Sequence, residues 1–266
     1  MYDCHVHSDF SGDSNLSASA ACERAIEMGF SGIAFTDHLD IDFPGYDDAF
    51  LIDFEKYFST MNTIKYKFEK HLKVLIGIEV GIQPNVINDT LKIVENYDFD
   101  YVISSIHIID KKDPASPEFF SGESKESSFR RYLEEIYYSI SNYENFDIVG
   151  HIGYIRRYCN YENTSLSYFD FCDILDSILL KLIESGKGIE VNTSGYTHNK
   201  LKSPIPDFDI VKRYKELGGE IICIGSDAHT VDGIGLNFDV VAERLKEIGF
   251  LHLTHFEKRK PVFELI

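Results

Sequence analysis

Short runs of β-branched and aromatic residues, at 2–6, 32–35, 74–78, 101–106, 148–150, 188–191 and 221–224, alternate along the chain with longer amphipathic stretches. The long stretches predict helices near 18–28, 53–71, 85–96, 127–143, 169–185, 209–217 and 240–248. Gly29, Gly186, Gly218 and Gly249 stand where helix C-caps would fall.

A strand followed by a helix, repeated along the chain, is the pattern of a parallel sheet covered by helices. An open sheet built for a dinucleotide would carry GxGxxG after its first strand, and no such run occurs there. Seven or eight strand–helix units in 266 residues suit a closed α/β barrel of TIM-like type better than an open sheet. The proline-bearing loops at 113–117 and 203–206 are too short to be linkers and no internal repeat is visible, so 1–266 reads as one domain. Such a barrel places its chemistry at the C-terminal ends of the strands.

Charge narrows the range of partners. The 26 Lys and Arg stand against 44 Asp and Glu, a formal balance of −18. That surface repels a nucleic-acid polymer or an anionic membrane, whereas a small phosphorylated substrate needs only one or two well-placed arginines. Five cysteines without a CxxC pair do not read as a disulfide framework. With no apolar run of about 20 residues and no basic leader, a cytoplasmic setting is expected.

The strand ends carry a distinctive set of side chains. The first run ends in His5-Val6-His7, the second in Asp37-His38, the third in Glu79, the fourth in His107, the fifth in His151 and the seventh in Asp227-Ala228-His229. Residues i and i+2 of a strand face the same side, so His5 and His7 can reach one ion. A lone histidine at a strand end is usually a packing residue. Six at the same end, with carboxylates among them, are what a metal cluster requires. The set exceeds the four positions of one tetrahedral zinc, so at least two divalent ions are expected, and imidazole with carboxylate suits Zn, Mn or Fe. His71, His198, His252 and His255 fall elsewhere and read as surface or packing residues. Arg156 and Arg157, soon after His151, are candidates for a phosphate clamp, and Asn192 and Ser194 at the sixth strand end are further substrate contacts.

Further motifs complete a family pattern: HSDFSGDS with Asp13, FTDH at 35–38, GIEVG at 77–81, SIH at 105–107, GHIGYIRRY at 150–158, EVNTSG at 190–195, GSDAH at 225–229 and the closing FEKRKPVFELI. With these the chain resembles the polymerase and histidinol phosphatase (PHP) family, most closely its stand-alone histidinol-phosphate phosphatases, over essentially its whole length. The resemblance implies a distorted TIM-like (β/α)7 barrel with its metal site at the C-terminal ends of the strands, and a three-metal centre. One ion would use His5, His7, Glu79 and Asp227; a second Glu79, His107 and His151; a third Asp13, His38 and His229. It implies hydrolysis of L-histidinol phosphate, or of another small phosphomonoester such as a nucleoside monophosphate, by a hydroxide bridging two ions. Asp227, His229 and Glu79 would be the catalytic groups, and Asp37 a group that orients its neighbours. An amidohydrolase barrel also begins with HxH, but its bridging Lys at the fourth strand has no counterpart here. The family pattern has Arg two residues after Gly195, where this chain has Thr197. For the amine and imidazole of histidinol, Asp110, Asp113 and Glu118 are candidate acceptors.

Overall fold

The computed structural model describes every residue except 47, 117 and 199, so the last position of the 113–117 loop lies outside the described residues. Parallel strands run in the order β1 (Tyr2–Val6), β2 (Gly32–Phe35) with β3 (His38–Asp40), β4 (Lys73–Gly81), β5 (Tyr101–Ser105), β6 (Ile148–Val149), β7 (Gly188–Asn192) and β8 (Ile222–Gly225). The second barrel position is thus split: β2 pairs with the first half of β4 and β3 with its last three residues. The interruption falls at Thr36 and Asp37, so His38 opens a new strand segment instead of following a strand's end.

Closure between β1 and β8 is minimal. One parallel bridge joins Val6 to Ala228, with His7 N donating to Ala228 O at 3.0 Å and Asp227 N donating to His5 O at 2.7 Å. The buried Asp3 carboxylate fastens the same seam, accepting from Ser226 N at 2.9 Å and Gly235 N at 3.1 Å. This short closure is what makes the barrel distorted, as the family resemblance implies.

Helices α1 (Ala18–Glu27), α2 (Phe54–Phe68), α3 (Ile87–Asn96), α4 (Lys125–Asn142), α5 (Cys172–Glu184), α6 (Phe208–Glu216) and α7 (Phe238–Ile248) cover the outside. Asp53 and Ser124 start α2 and α4 by accepting from the backbone of Lys56 and Ser127. The expected fifth helix begins later than its periodicity suggests, because Tyr168–Asp170 forms a separate 3₁₀ turn. No helix is long and apolar enough to cross a membrane among the described residues.

Inside the barrel, Cys4, Ala34, Leu75, Tyr101, Ile103, Ile148 and Cys223 pack with Phe256 into a closed floor. Phe256 comes from an antiparallel hairpin of β9 (His252–Glu257) and β10 (Lys260–Leu265), which the helix-and-strand alternation did not foretell. The hairpin's turn is tied to residues just before β5 and β6: Lys258 N donates to Asp100 at 3.1 Å and Arg259 Nε to Asp147 at 2.6 Å. It therefore seals the N-terminal mouth and leaves the C-terminal mouth as the open one. His255 is buried there against Tyr2, with ring centroids 3.8 Å apart, which accounts for one histidine outside the strand-end set.

Candidate metal centre

Glu79 sits at the centre of the open end. Its Oε1 accepts from Ser105 Oγ at 2.6 Å and lies 2.8 Å from His151 Nε2 and 3.3 Å from His107 Nε2. Its Oε2 faces His38 Nδ1 at 3.0 Å, His5 Nε2 at 3.3 Å and His7 Nε2 at 3.5 Å. Asp227 Oδ1 is 3.2 Å from His7 Nε2 and 3.7 Å from His5 Nε2. Asp13 Oδ2 stands 3.2 Å from His229 Nε2 and 3.6 Å from His38 Nε2. All nine side chains proposed as ligands, His5, His7, Asp13, His38, Glu79, His107, His151, Asp227 and His229, are thus brought together. Asp9, the nearby acid of the same loop, is exposed.

Local backbone design makes this convergence possible. A bulge between Asp3 and Val6 sets two residues of β1 against one of β2. Cys4 can then join the floor while His5 and His7 turn to the site above it. On β4 the alternation is regular, so Leu75 lies in the floor and Glu79, two pleats on, in the cluster.

The arrangement has the character of an ion-binding cage. Ring nitrogens of His5 and His7 face each other at 3.0 Å, close to the roughly 3.4 Å between two ligand atoms about 2.1 Å from a tetrahedral ion. Glu79 Oε2 is buried and accepts no hydrogen bond, although three ring nitrogens surround it. Ligand atoms of His5, His7 and Glu79, of His38, Glu79 and His107, of His5, His151 and Asp227, and of His7, His38 and His229 lie within 4.8 Å of one another in each group. Burial alone would raise the pKa of Glu79 and Asp227. Neighbouring imidazoles, with Arg157 beside Asp227, outweigh it and hold both well below the usual carboxylate range. Burial would lower His107, yet Asp40 and Glu79 push it up to about 9. For His7, burial and the adjacent His38 and His229 act together and lower it. The cluster is therefore a field of fixed negative charge lined with ring nitrogens, which suits divalent cations.

Outer partners aim the rings. His5 Nδ1 donates to Glu190 Oε1 at 2.7 Å, His107 Nδ1 to Asp40 Oδ1 at 2.8 Å and His229 Nδ1 to Asp227 O at 3.0 Å. Ser11 Oγ donates to Asp37 Oδ1 at 2.9 Å and accepts from His38 N at 3.0 Å, leaving its other lone pair for His7 Nδ1 at 2.9 Å. Asp37 holds this loop as expected, also accepting from Ser8 N at 2.7 Å. Each proton held at Nδ1 leaves Nε2 as the lone-pair nitrogen facing inward. Asp40, Glu190, Ser11 and Ser105 were not foreseen in these roles. An available signal was the single acid in GIEVN, a strand otherwise too apolar to carry a charge without purpose.

Two expected substrate contacts are corrected. Arg156 is 2% exposed and turned away, with Nε on Thr164 O at 3.1 Å, Nη1 on Pro204 O at 3.1 Å and Nη2 on Ser203 Oγ at 2.8 Å. It holds loops together because the 3₁₀ turn Tyr154–Arg157 sends successive side chains in different directions. Asn192 is fully buried, its amide spent on Glu190, Asp227 and Ser194. Arg157 does reach the site. It pairs with Asp227, donates to Ser194 Oγ at 2.6 Å and lies over the Tyr154 ring. Thr197 turns back to donate to Ser194 O at 2.7 Å and supplies no cation.

Above the cluster opens a cavity of about 180 Å³, walled by Phe43, Tyr46 and Phe50 on the loop before α2 and by Tyr154, Tyr158 and Arg157. Asp113 lines it, whereas Asp110 lies 3.4 Å from Arg131 and Glu118 accepts from Ser116, outside the cavity lining.

Comparison with known proteins is consistent with this geometry. The model of the PHP domain matches residues 3–194. The probable histidinol-phosphatase of Clostridium acetobutylicum is 33% identical over 259 residues, covering 97% of this chain and 98% of that protein. The histidinol-phosphatase of Lactococcus lactis is 32% identical over 259 residues, covering 97% and 95%. The crystal structure of a Lactococcus lactis histidinol phosphate phosphatase with zinc, L-histidinol and phosphate superimposes with a TM-score of 0.92 over 98% of both chains at 31% identity.

Proposed function

This chain belongs to the PHP family, and from that premise we propose that it is a metal-dependent phosphomonoesterase hydrolysing L-histidinol phosphate to L-histidinol and phosphate, a step of histidine biosynthesis. The observation that carries the reading is the convergence of six imidazoles and three carboxylates beneath a small cavity with one arginine at its edge. The likeness to a relative that holds zinc, histidinol and phosphate supports it. Nine ligands suffice for two to three divalent ions, zinc, manganese or iron, distributed as the family resemblance implies.

Bound divalent ions supply positive charge to the phosphate oxygens and make the attacking water more acidic. Arg157 adds a planar donor pair at the cavity edge and orients the phosphate. Asp227, held ionised by Arg157 and His5, can accept a hydrogen bond from the attacking water, orient it and relay the proton that leaves it. His229, partly exposed at the rim, is placed with Asp13 to orient the water that returns a proton to the departing alkoxide. One P–O bond forms from water, the ester P–O bond breaks, and the proton ends on the alcohol. Asp113 is the acceptor available to the cationic end of the substrate, and the aromatic wall to its ring. Five free cysteines suit a reducing compartment, and on this reading the enzyme works in the cytoplasm.

Steady-state kinetics on L-histidinol phosphate and a panel of nucleoside monophosphates test the reading. A preference of at least about tenfold in kcat/KM for histidinol phosphate is expected, because the cavity is small and an acceptor lines it. Equal or better turnover of nucleotides would overturn it. Elemental analysis should find at least two ions per active chain, and fewer would sink the ligand assignment.

A further inference from the structure

Glu190 is an ionisable side chain with no solvent exposure, and no lysine or arginine lies within 4 Å of it among the described residues. A carboxylate in that position needs a reason, since burying an unpaired charge costs several kcal/mol or more. Its hydrogen bonds supply one. Oε1 accepts from His5 Nδ1 at 2.7 Å, and Oε2 accepts from His151 N at 2.8 Å and from Asn192 Nδ2 at 3.0 Å. These donors come from β1, from the residue after Gly150 that follows β6, and from β7 itself. Gly225 on β8 leaves room for the arrangement, because a Cβ there would run into Glu190 Oε1 and His5 Cβ.

We infer that Glu190 is a positioning residue of the metal centre, fixing the tautomer of His5 and seating His151 so that both rings present a lone pair to the cluster. Because His5 gives its Nδ1 proton to Glu190, its Nε2 is free to face His7 and Glu79. His151 is seated through its backbone, where a φ of 22° makes an outside anchor necessary. The third donor cannot change places. Asn192 Oδ1 already accepts from Ser194 N at 3.1 Å and Ser194 Oγ at 2.5 Å, so its amide is held with Nδ2 toward Glu190.

Both carboxylate oxygens must therefore act as acceptors, a demand that only Asp or Glu meets. Glutamine has the same shape but one acceptor. With its amide toward His151 it sets donor against donor. Flipped, it forces the His5 proton onto Nε2, the nitrogen that should bind. The first orientation loses the seat of His151 and the second the ligand position of His5, while the fold's apolar contacts stay.

The inference rests on the metal reading proposed above, and the test separates the two. Wild type and Glu190→Gln are each equilibrated with zinc and read by elemental analysis and by competition with a chelating dye. The expected result is full loading of the wild type, and in the variant a loss of at least one ion per chain with affinity at that position weakened by about 10–100-fold. Equal stoichiometry and affinity in the two proteins would overturn the role of Glu190 and leave the metal reading intact. A wild type that takes up no zinc would overturn the metal reading, and this inference with it. A second measurement needs no variant. In the zinc-loaded wild type, ring ¹⁵N shifts should show His5 protonated at Nδ1, and a proton at Nε2 would refute the assignment even if Glu190→Gln failed to fold.

Discussion

Asp40 on β3 reaches across β4 to His107, its Oδ1 2.8 Å from the ring Nδ1. The crossing is possible because the residue opposite Asp40 in register is Gly81, where any Cβ would overlap the Asp40 carboxylate. Two substitutions of unlike chemistry should then give one phenotype. Asp40→Ala removes the partner of His107, and Gly81→Ala displaces it. Both are expected to lower metal affinity and kcat/KM by about 10–100-fold. If Gly81→Ala leaves zinc affinity at the wild-type value, the crossing does not matter to the site.

Adjacent arginines should separate cleanly. Arg157→Met removes the cation at the cavity edge and should lower kcat/KM by roughly 100-fold, as loss of a positioned donor to a reacting oxyanion does. Arg156→Met takes the cation from Asp207, which keeps Leu166 N and Ser203 Oγ as donors, and removes the Arg156 donor from Thr164 O, Pro204 O and Ser203 Oγ. Its cost is about 3 kcal/mol of stability, with kcat/KM of the folded fraction near wild type. Urea unfolding alongside kinetics checks both, and the reverse pattern would show that the side chains had been assigned the wrong way round.

This pair also shows where sequence reading stops. Side-chain chemistry at strand ends was legible, because the sheet's period places every such residue at one level. Glu79, His107 and His151 follow from that alone, whereas Asp13 sits in a loop and needed the family's spacing. What could not be read was direction. Arg156 and Arg157 are neighbours in a 3₁₀ turn, and nothing in Tyr-Ile-Arg-Arg says which one faces the cavity. Asp40 was hidden for a different reason, since its role depends on a glycine on another strand. The β9–β10 hairpin escaped because the helix-and-strand alternation ends before it.

Stripping the ions should destabilise as well as inactivate. Without them the buried negative charge of Glu79 and Asp227 is balanced, among the described residues, by Arg157 and by protons on imidazoles. Ligand linkage at about 1,000 times the dissociation constant contributes about 4 kcal/mol, which corresponds to a melting shift of roughly 10 °C for a chain of this size. Differential scanning fluorimetry before and after chelation, and after adding back zinc or manganese, measures it. An unchanged melting point would mean that the ions do not bind the folded centre tightly.

Far from the site, the floor of the barrel carries its own pH signature. Asp147 is buried beneath β6, accepting from Val102 N at 2.8 Å and from Arg259 Nε at 2.6 Å. Burial raises its pKa, and Arg259 draws it only part of the way back. A carboxyl whose folded pKa lies above its unfolded value stabilises the fold fully below the unfolded value, near about 3.9, and that contribution is lost as pH rises through the folded pKa. Arg259→Met removes the opposing cation and moves the folded pKa further up. Arg259 is itself about a quarter exposed, so the cost at pH 7 is set at about 2 kcal/mol, below that of a fully buried pair. As the pH falls toward that raised pKa, Asp147 takes up a proton and the difference between variant and wild type should shrink. Urea unfolding at pH 7 and pH 5 reads the difference directly. A penalty that grows on acidification would show that Asp147 is not the group that Arg259 serves.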